Sequence, residues 1–181
     1  MPIEDLPSQY KWLKNEPAPK MLLEALRHFG TQEFKGDLDN PIILGWAKEL
    51  GGETAEFYKH DSIPWCGLFM GIVAKRSGYE PPKYPLLALN WASFGTPVKL
   101  AKLGYVLVFM RNGGGHVGLY VGEDKFAYHV LGGNQHDMVD ISRIDKRRLY
   151  SINRPNYKIK EPANVRQIFL SEKGIISTDE S

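Results

Sequence analysis

The stretch YVLVFMRNGGGHVGLYVGEDKFAYHVLGGNQ, residues 105–135, decides the fold. Tyr105 to Met110 is apolar on both faces, which reads as a buried strand. Arg111-Asn-Gly-Gly-Gly115 is a flexible link, and His116 to Val121 is a second strand. Gly122 to Lys125 has the composition of a hairpin turn, so Phe126 to Leu131 returns antiparallel and runs into Gly132-Gly-Asn-Gln135. Val139 to Ile141 and Leu149 to Ile152 add two more strands.

Upstream the period changes. Met21, Leu22, Ala25, Leu26 and Phe29 have helical spacing, with Gly30 at the stop position. Asn40-Pro41 opens a second helix carrying Ile42, Ile43, Trp46, Ala47 and Leu50, since proline suits a first helical turn. Trp65, Leu68, Phe69, Ile72 and Val73 mark a mostly buried third helix over 65–75. Pro81, Pro82 and Pro85 exclude regular structure, and 86–94 reads as a short helix. Helices therefore come first and an antiparallel meander follows, an α+β order rather than an alternating one. Residues 1–17, with three prolines, read as an N-terminal arm, 18–155 as the domain, and 156–181 as a polar tail with an apolar patch at Ile168-Phe-Leu170.

Composition narrows the function classes. The 181 residues are 43% apolar and 24% charged, a globular profile. Twenty-three basic against 21 acidic residues leave +2, which excludes a strongly basic nucleic-acid binder on bulk charge. No run of about 20 apolar residues predicts a membrane span. The opening Met1-Pro-Ile-Glu-Asp5 has no basic run and no apolar core, so no secretory signal is expected. Cys66 is the single cysteine, so neither an internal disulfide nor a multi-cysteine metal site can form.

Cys66 falls at the start of a buried helix, where unpaired N–H groups and the helix dipole favour a thiolate and its own N–H can face an oxyanion. A packed core cysteine is the competing reading. His116 opens its strand with Gly118 as its neighbour on the same face, leaving room for an imidazole base to reach a thiol on another element. A third group must orient that ring. In a simple hairpin closed at 122–125, residue 116 lies opposite about 131, so His129 and Gln135 share the His116 face and Asn134 does not. A bulge at Gly132-Gly133 exchanges Asn134 and Gln135. His116, His129 and His136 could approach one another across a sheet as zinc ligands, but no His-Glu-x-x-His motif or completing carboxylate accompanies them. Gly113-Gly-Gly115 precedes a strand and lacks a Gly-Lys-Ser/Thr sequel, so it is no phosphate cradle, and Lys146-Arg-Arg148 reads as a solvated turn. No cofactor and no metal are expected.

Trp65-Cys66, Gly104-Tyr-Val-Leu-Val-Phe109, Gly115-His-Val-Gly-Leu-Tyr-Val-Gly122 and Leu131-Gly-Gly-Asn-Gln135, with Glu33 and Asn40-Pro41 upstream, resemble the NlpC/P60 and CHAP superfamily of papain-like cell-wall hydrolases, in a phage- and prophage-associated branch. The resemblance spans about residues 18 to 155. It implies a papain-like α+β fold in which Cys66 is the nucleophile, His116 the base and Asn134 the orienting residue, with Gln135 and then His129 as the next choices. Trp65 and Gln135 are the expected substrate contacts; Trp91 with Trp65 could line the cleft, though core packing is the commoner role for either. Many relatives carry a histidine twelve residues after the base, where this chain has Tyr128, and an aspartate where it has Tyr105. The implied activity is cleavage of an amide in peptidoglycan stem peptides or between sugar and peptide. The implied setting is phage lysis or entry, or a secreted antibacterial effector. Such an enzyme is made in the cytoplasm and acts on the wall after release or delivery. It is expected to be a monomer, with a delivery or immunity protein as a further partner. Alternatives on the same residues are a cysteine acyltransferase or peptidase for another amide, and a non-catalytic virion or binding protein. Loops 30–64 and 78–100 are expected to set bond specificity.

Overall fold

Nine consecutive residues, Cys66 to Ala74, are buried, so the helix they form has no solvent face and must lie between layers. A computed structural model, describing residues 6–36 and 38–177, shows what surrounds it. The first five residues of the arm, Asp37, and the chain end with Asp179 and Glu180 lie outside the described residues. Four α-helices, α1 (Lys20–Leu26), α2 (Pro41–Leu50), α3 (Gly52–Phe57) and α4 (Cys66–Arg76), precede the strands. A 3-10 segment over Ser8–Asn15 and another over Ala88–Ser93 complete the helical part. Asn40 caps α2, its side chain accepting from the Ile42 N–H at 2.8 Å, with Pro41 at the first turn.

The strands are β1 (Thr96–Pro97), β2 (Val106–Arg111), β3 (Gly114–Glu123), β4 (Ala127–Gln135), β5 (Met138–Asp145), β6 (Leu149–Arg154) and β7 (Ile176–Ser177). They form one sheet in the order β1-β6-β2-β3-β4-β5-β7. The protein is thus α+β. The meander β2 to β5 is antiparallel as the sequence predicts. β6 returns to the far side of β2, and β7 pairs parallel with β5, so the sheet is mixed.

Helices α1 and α2 stack on α4, and α4 packs on β3 and β4. Val117, Leu119, Val121, Leu131, Val139 and Ile141 belong to this helical core. The alternate residues Leu107, Phe109, Tyr120, Val130 and Ile144 form a second cluster on the opposite face, with Val165, Tyr157 and Ile168 from the tail. Backbone bonds from the Glu123 N–H to the Ile168 carbonyl and from the Leu170 N–H to the Glu123 carbonyl, both 2.8 Å, fasten that covering segment. Two covered faces explain why these strands read as unbroken apolar runs.

One buried polar chain joins the ends of the polypeptide to the sheet. The Tyr10 hydroxyl from the arm lies 2.6 Å from His129 Nδ1, and His129 Nε2 lies 2.9 Å from Asp124 Oδ2. Asp124 also accepts from Arg143 Nε at 2.8 Å and from the N–H groups of Phe126 and Ala127, which shapes the β3–β4 turn. Arg143 in turn donates to the Gly174 carbonyl. Burial pushes the Asp124 carboxyl up, but the bonds from Arg143, Phe126, His129 and Ala127 outweigh it and hold the group well below its usual range. Burial pulls His129 below its ordinary value of 6.5, against the opposing pull of Asp124. The ring is therefore neutral, donating from Nε2 to the carboxylate and accepting the Tyr10 hydroxyl at Nδ1.

Two outcomes follow. Replacing Tyr10 with Phe leaves a buried ring nitrogen without its donor and costs about 1–3 kcal/mol in urea unfolding. Because the folded pKa of His129 is depressed, the unfolded chain takes up the proton first as pH falls below 6.5. The stability His129 contributes is present above that pH and lost below it. Unfolding at pH 7.5 and 5.0 must show a smaller pH-dependent loss in His129→Gln than in wild type, and equal losses would refute the assignment.

Candidate active site

The site forms where β3 and β4 part. These strands pair from the turn only as far as Leu119 and Leu131. Beyond that point β3 stays with β2 down to Gly114, and β4 stays with β5 as far as Gln135. Gly132 and Gly133 sit at the divergence. A Cβ on Gly133 would stand 2.8 Å from the Trp65 ring and 2.6 Å from Phe69 Cβ, so only glycine lets α4 come this close. A Cβ on Gly132 would stand 3.2 Å from His116 Nε2 and 2.8 Å from Gln135 Oε1. The residue preceding Cys66 and the imidazole of His116 thus lie on either side of one glycine pair.

Cys66 is the first residue of α4 and is only 4% exposed. No side chain caps this helix, so its first turn presents backbone N–H groups and the positive end of the dipole beside the thiol. The loop following the prolines closes over that turn, because a Cβ on Gly67 would meet the Pro85 carbonyl oxygen at 2.2 Å. Leu89, further along the same loop, packs on Gly115 next to His116. Residues 85–89 therefore wall the space between the two candidate catalytic elements.

The ring of His116 is held by Gln135. His116 Nε2 lies 2.9 Å from Gln135 Oε1, and both residues are essentially fully buried. The Gln135 amide nitrogen donates to the Val130 carbonyl at 3.0 Å and to the Asp140 carbonyl at 2.6 Å. Both amide hydrogens are spent on groups that only accept, so the side chain cannot be turned round. Its oxygen then faces His116, Nε2 must carry the proton, and the lone pair of the neutral ring resides on Nδ1. Gln135 selects the tautomer in which Nδ1 is a base.

Several sequence expectations change here. The side chain bonded to the His116 ring is that of Gln135, the second choice, and not that of Asn134. Asn134 sits at φ +57° in the bulge between Gly132 and Gln135, and its side chain makes no hydrogen bond among the described residues. His129 lies on the α4 side of the sheet, committed to Tyr10 and Asp124. Gln135 and Trp65, expected as substrate contacts, are both 0% exposed with their polar groups bonded inside the protein. Trp91 is equally buried, its indole donating to the Pro85 carbonyl. His116, His129 and His136 face separate partners, His136 being 3.4 Å from Asp140. Among the described residues no group of three or more His, Cys, Asp or Glu is placed to hold a metal ion.

Glu33, part of the upstream sequence pattern, lies beside Trp65. Its carboxylate accepts from Trp65 Nε1 at 2.9 Å. Burial raises its pKa despite that bond, and Asp137 and Asp61 add to the rise. The loop carrying it is zipped to the start of β5 by bonds from the Gly30 N–H to the Val139 carbonyl, from the Val139 N–H to the Thr31 carbonyl and from the Glu33 N–H to the Asp137 carbonyl.

The tautomer can be read without any substrate. In 15N-edited imidazole spectra of the neutral protein, His116 shows the Nε2–H form. That form persists in Asn134→Ala and is lost to a tautomer mixture in Gln135→Ala. A mixture in Asn134→Ala with Gln135→Ala unchanged would reverse the assignment. Comparison with family models, with curated proteins and with solved structures finds no match to this chain.

Proposed function

We propose that the protein is a cysteine hydrolase that cuts an amide bond in peptidoglycan, on a papain-like arrangement of α4 against the sheet. The observation carrying this reading is the grip of Gln135 on His116 Nε2, at the glycine pair that also seats Trp65 beside Cys66. A buried histidine with a fixed tautomer next to the uncapped start of a helix bearing a lone cysteine is what acyl transfer through sulfur requires. The resemblance of Trp65-Cys66, Gly115-His-Val-Gly118 and Leu131-Gly-Gly-Asn-Gln135 to NlpC/P60 and CHAP enzymes supplies the substrate class.

In this mechanism His116 Nδ1 takes the proton of the Cys66 thiol. The thiolate adds to the amide carbonyl, and the negative charge that develops on oxygen faces the N–H groups of the first turn of α4. Collapse breaks the carbon–nitrogen bond as the imidazolium gives its proton to the departing amine, leaving a thioester on Cys66. Water, losing a proton to Nδ1, then adds to the thioester. Release of the carboxylic acid returns the thiol. Gln135 accepts from Nε2–H throughout and never exchanges a proton. The wall at 85–89 adjoins an apolar groove of about 500 Å³ lined by Phe57, Tyr84, Leu86 and Leu87 with Glu53 and Glu56, a surface suited to part of an extended substrate.

Mass spectrometry of purified walls decides the proposal. Wild type releases new fragments carrying one new amine and one new carboxyl terminus per cut, and Cys66→Ala releases none. Gln135→Ala retains the nucleophile and falls by roughly a hundredfold or more in turnover, by loss of the correct tautomer. Equal release by wild type and Cys66→Ala would eliminate the mechanism. No release from walls of several chemotypes would eliminate the substrate.

A further inference from the structure

The indole of Trp65 touches three things that position the nucleophile. Its N–H donates to Glu33, its opposite edge (Cε3 and Cζ3) seats on Gly133, and its ring lies 6.0 Å from that of Trp46. Trp65 is wholly buried, and Glu33 is the acceptor that covers its N–H. Trp65 is also the residue directly before Cys66, in a non-helical conformation with φ −120° and ψ 15°. The position of its side chain therefore constrains where α4 begins.

Glu33 itself is held from both sides. Its own N–H donates to the Asp137 carbonyl at 2.9 Å, and the N–H of Phe34 donates to Asp61 Oδ2 at 3.1 Å. Asp61 is buried and also accepts from the Asn40 N–H at 2.7 Å, at the start of α2. The acceptor for the indole is thus mounted on a loop fixed to β5 and to α2, and β5 follows directly on the strand end that carries Gln135. No lysine or arginine among the described residues pairs with Glu33, so its partner here is the indole rather than a cation.

We infer that Glu33 is a positioning residue for the Cys66–His116 pair, acting through Trp65. By fixing the rotation of the indole it keeps the ring edge on Gly133 and the first turn of α4 in register with the glycine pair behind His116. Without the carboxylate the indole loses the anchor that sets its rotation, and the helix start shifts with the ring. This assignment rests on the reading of Cys66 and His116 as the reactive pair. It does not depend on which amide is cut.

Cys66 is the single thiol of the chain, so alkylation by iodoacetamide reports on it alone. Rates are compared at one pH for wild type, Glu33→Ala, Glu33→Gln, Trp65→Phe and the Glu33→Ala/Trp65→Phe double variant. Glu33→Ala and Trp65→Phe slow alkylation roughly tenfold or more, as expected when reacting groups are displaced by about an ångström. The double variant is no slower than the slower single one, because both break the same contact. Glu33→Gln keeps an acceptor oxygen and reacts within about twofold of wild type, a rescue that a general weakening of the loop does not produce. Wild-type rates in Glu33→Ala would overturn the inference, as would a Glu33→Gln protein as slow as Glu33→Ala, since charge rather than the hydrogen bond would then matter. A wild type that alkylates normally but releases no wall fragments would remove the proposed substrate and leave this result standing.

Discussion

The close approach of α4 to Gly133 is the constraint on which the rest of the architecture turns. A buried helix with apolar residues on every side needs a partner on every side, and the sheet can meet it closely only where a strand carries no side chain. That contact fixes the height of Trp65 above the sheet and therefore the start of the helix. The neighbouring glycine leaves space on the other side for an imidazole and an amide. One dipeptide thus satisfies a packing demand from one layer and a polar demand from the other. The divergence of β3 and β4 at this point follows, because two strands cannot remain paired where one of them must bend around both a ring and a helix end.

Much of this was legible in residue order. The 3.6-residue periods of the first half and the apolar runs of the second predicted α1, α2, α4 and the meander, and Asn40-Pro41 marked a start that the structure keeps, whereas α1 stops at Leu26, ahead of the Phe29-Gly30 end that its period suggests. The two-sided apolar character of Tyr105 to Met110 was visible too. What covers the outer face was not, because the segment 157–168 is polar with isolated apolar residues and carries no period. The short β7 and the return of β6 beside β2 also leave no local signal, since pairing partners distant in sequence are chosen by the assembled sheet.

The orienting residue shows how parity can mislead. Simple alternation from a tight hairpin placed His129 and Gln135 on the face of His116. An irregularity between Tyr120 and Gly122 shifts the β3–β4 pairing, which moves His129 to the helical side. A second extra residue between Gly132 and Gln135, with Asn134 at positive φ, shifts the alternation again and returns Gln135 to the outer face. Two reversals cancel for Gln135 and leave Asn134 in the bulge, contrary to the expectation drawn from resemblance. Paired glycines announce that a bulge is possible, but whether one or two residues slip depends on the helix pressing from beneath. Glu33 was equally hidden, because a carboxylate 32 residues before a tryptophan has no spacing that identifies it as an acceptor.

The chain from Tyr10 through His129, Asp124 and Arg143 to Gly174 has a mechanical meaning as well. Segments at opposite ends of the polypeptide are tied to the same buried carboxylate at the turn of the central hairpin. Tension applied through the arm at Tyr10 loads that carboxylate through His129, whereas tension on the other end meets the edge strand β7 before it reaches Gly174. A tether joined to the arm would therefore pull on the middle of the molecule, and one joined to the tail on its margin.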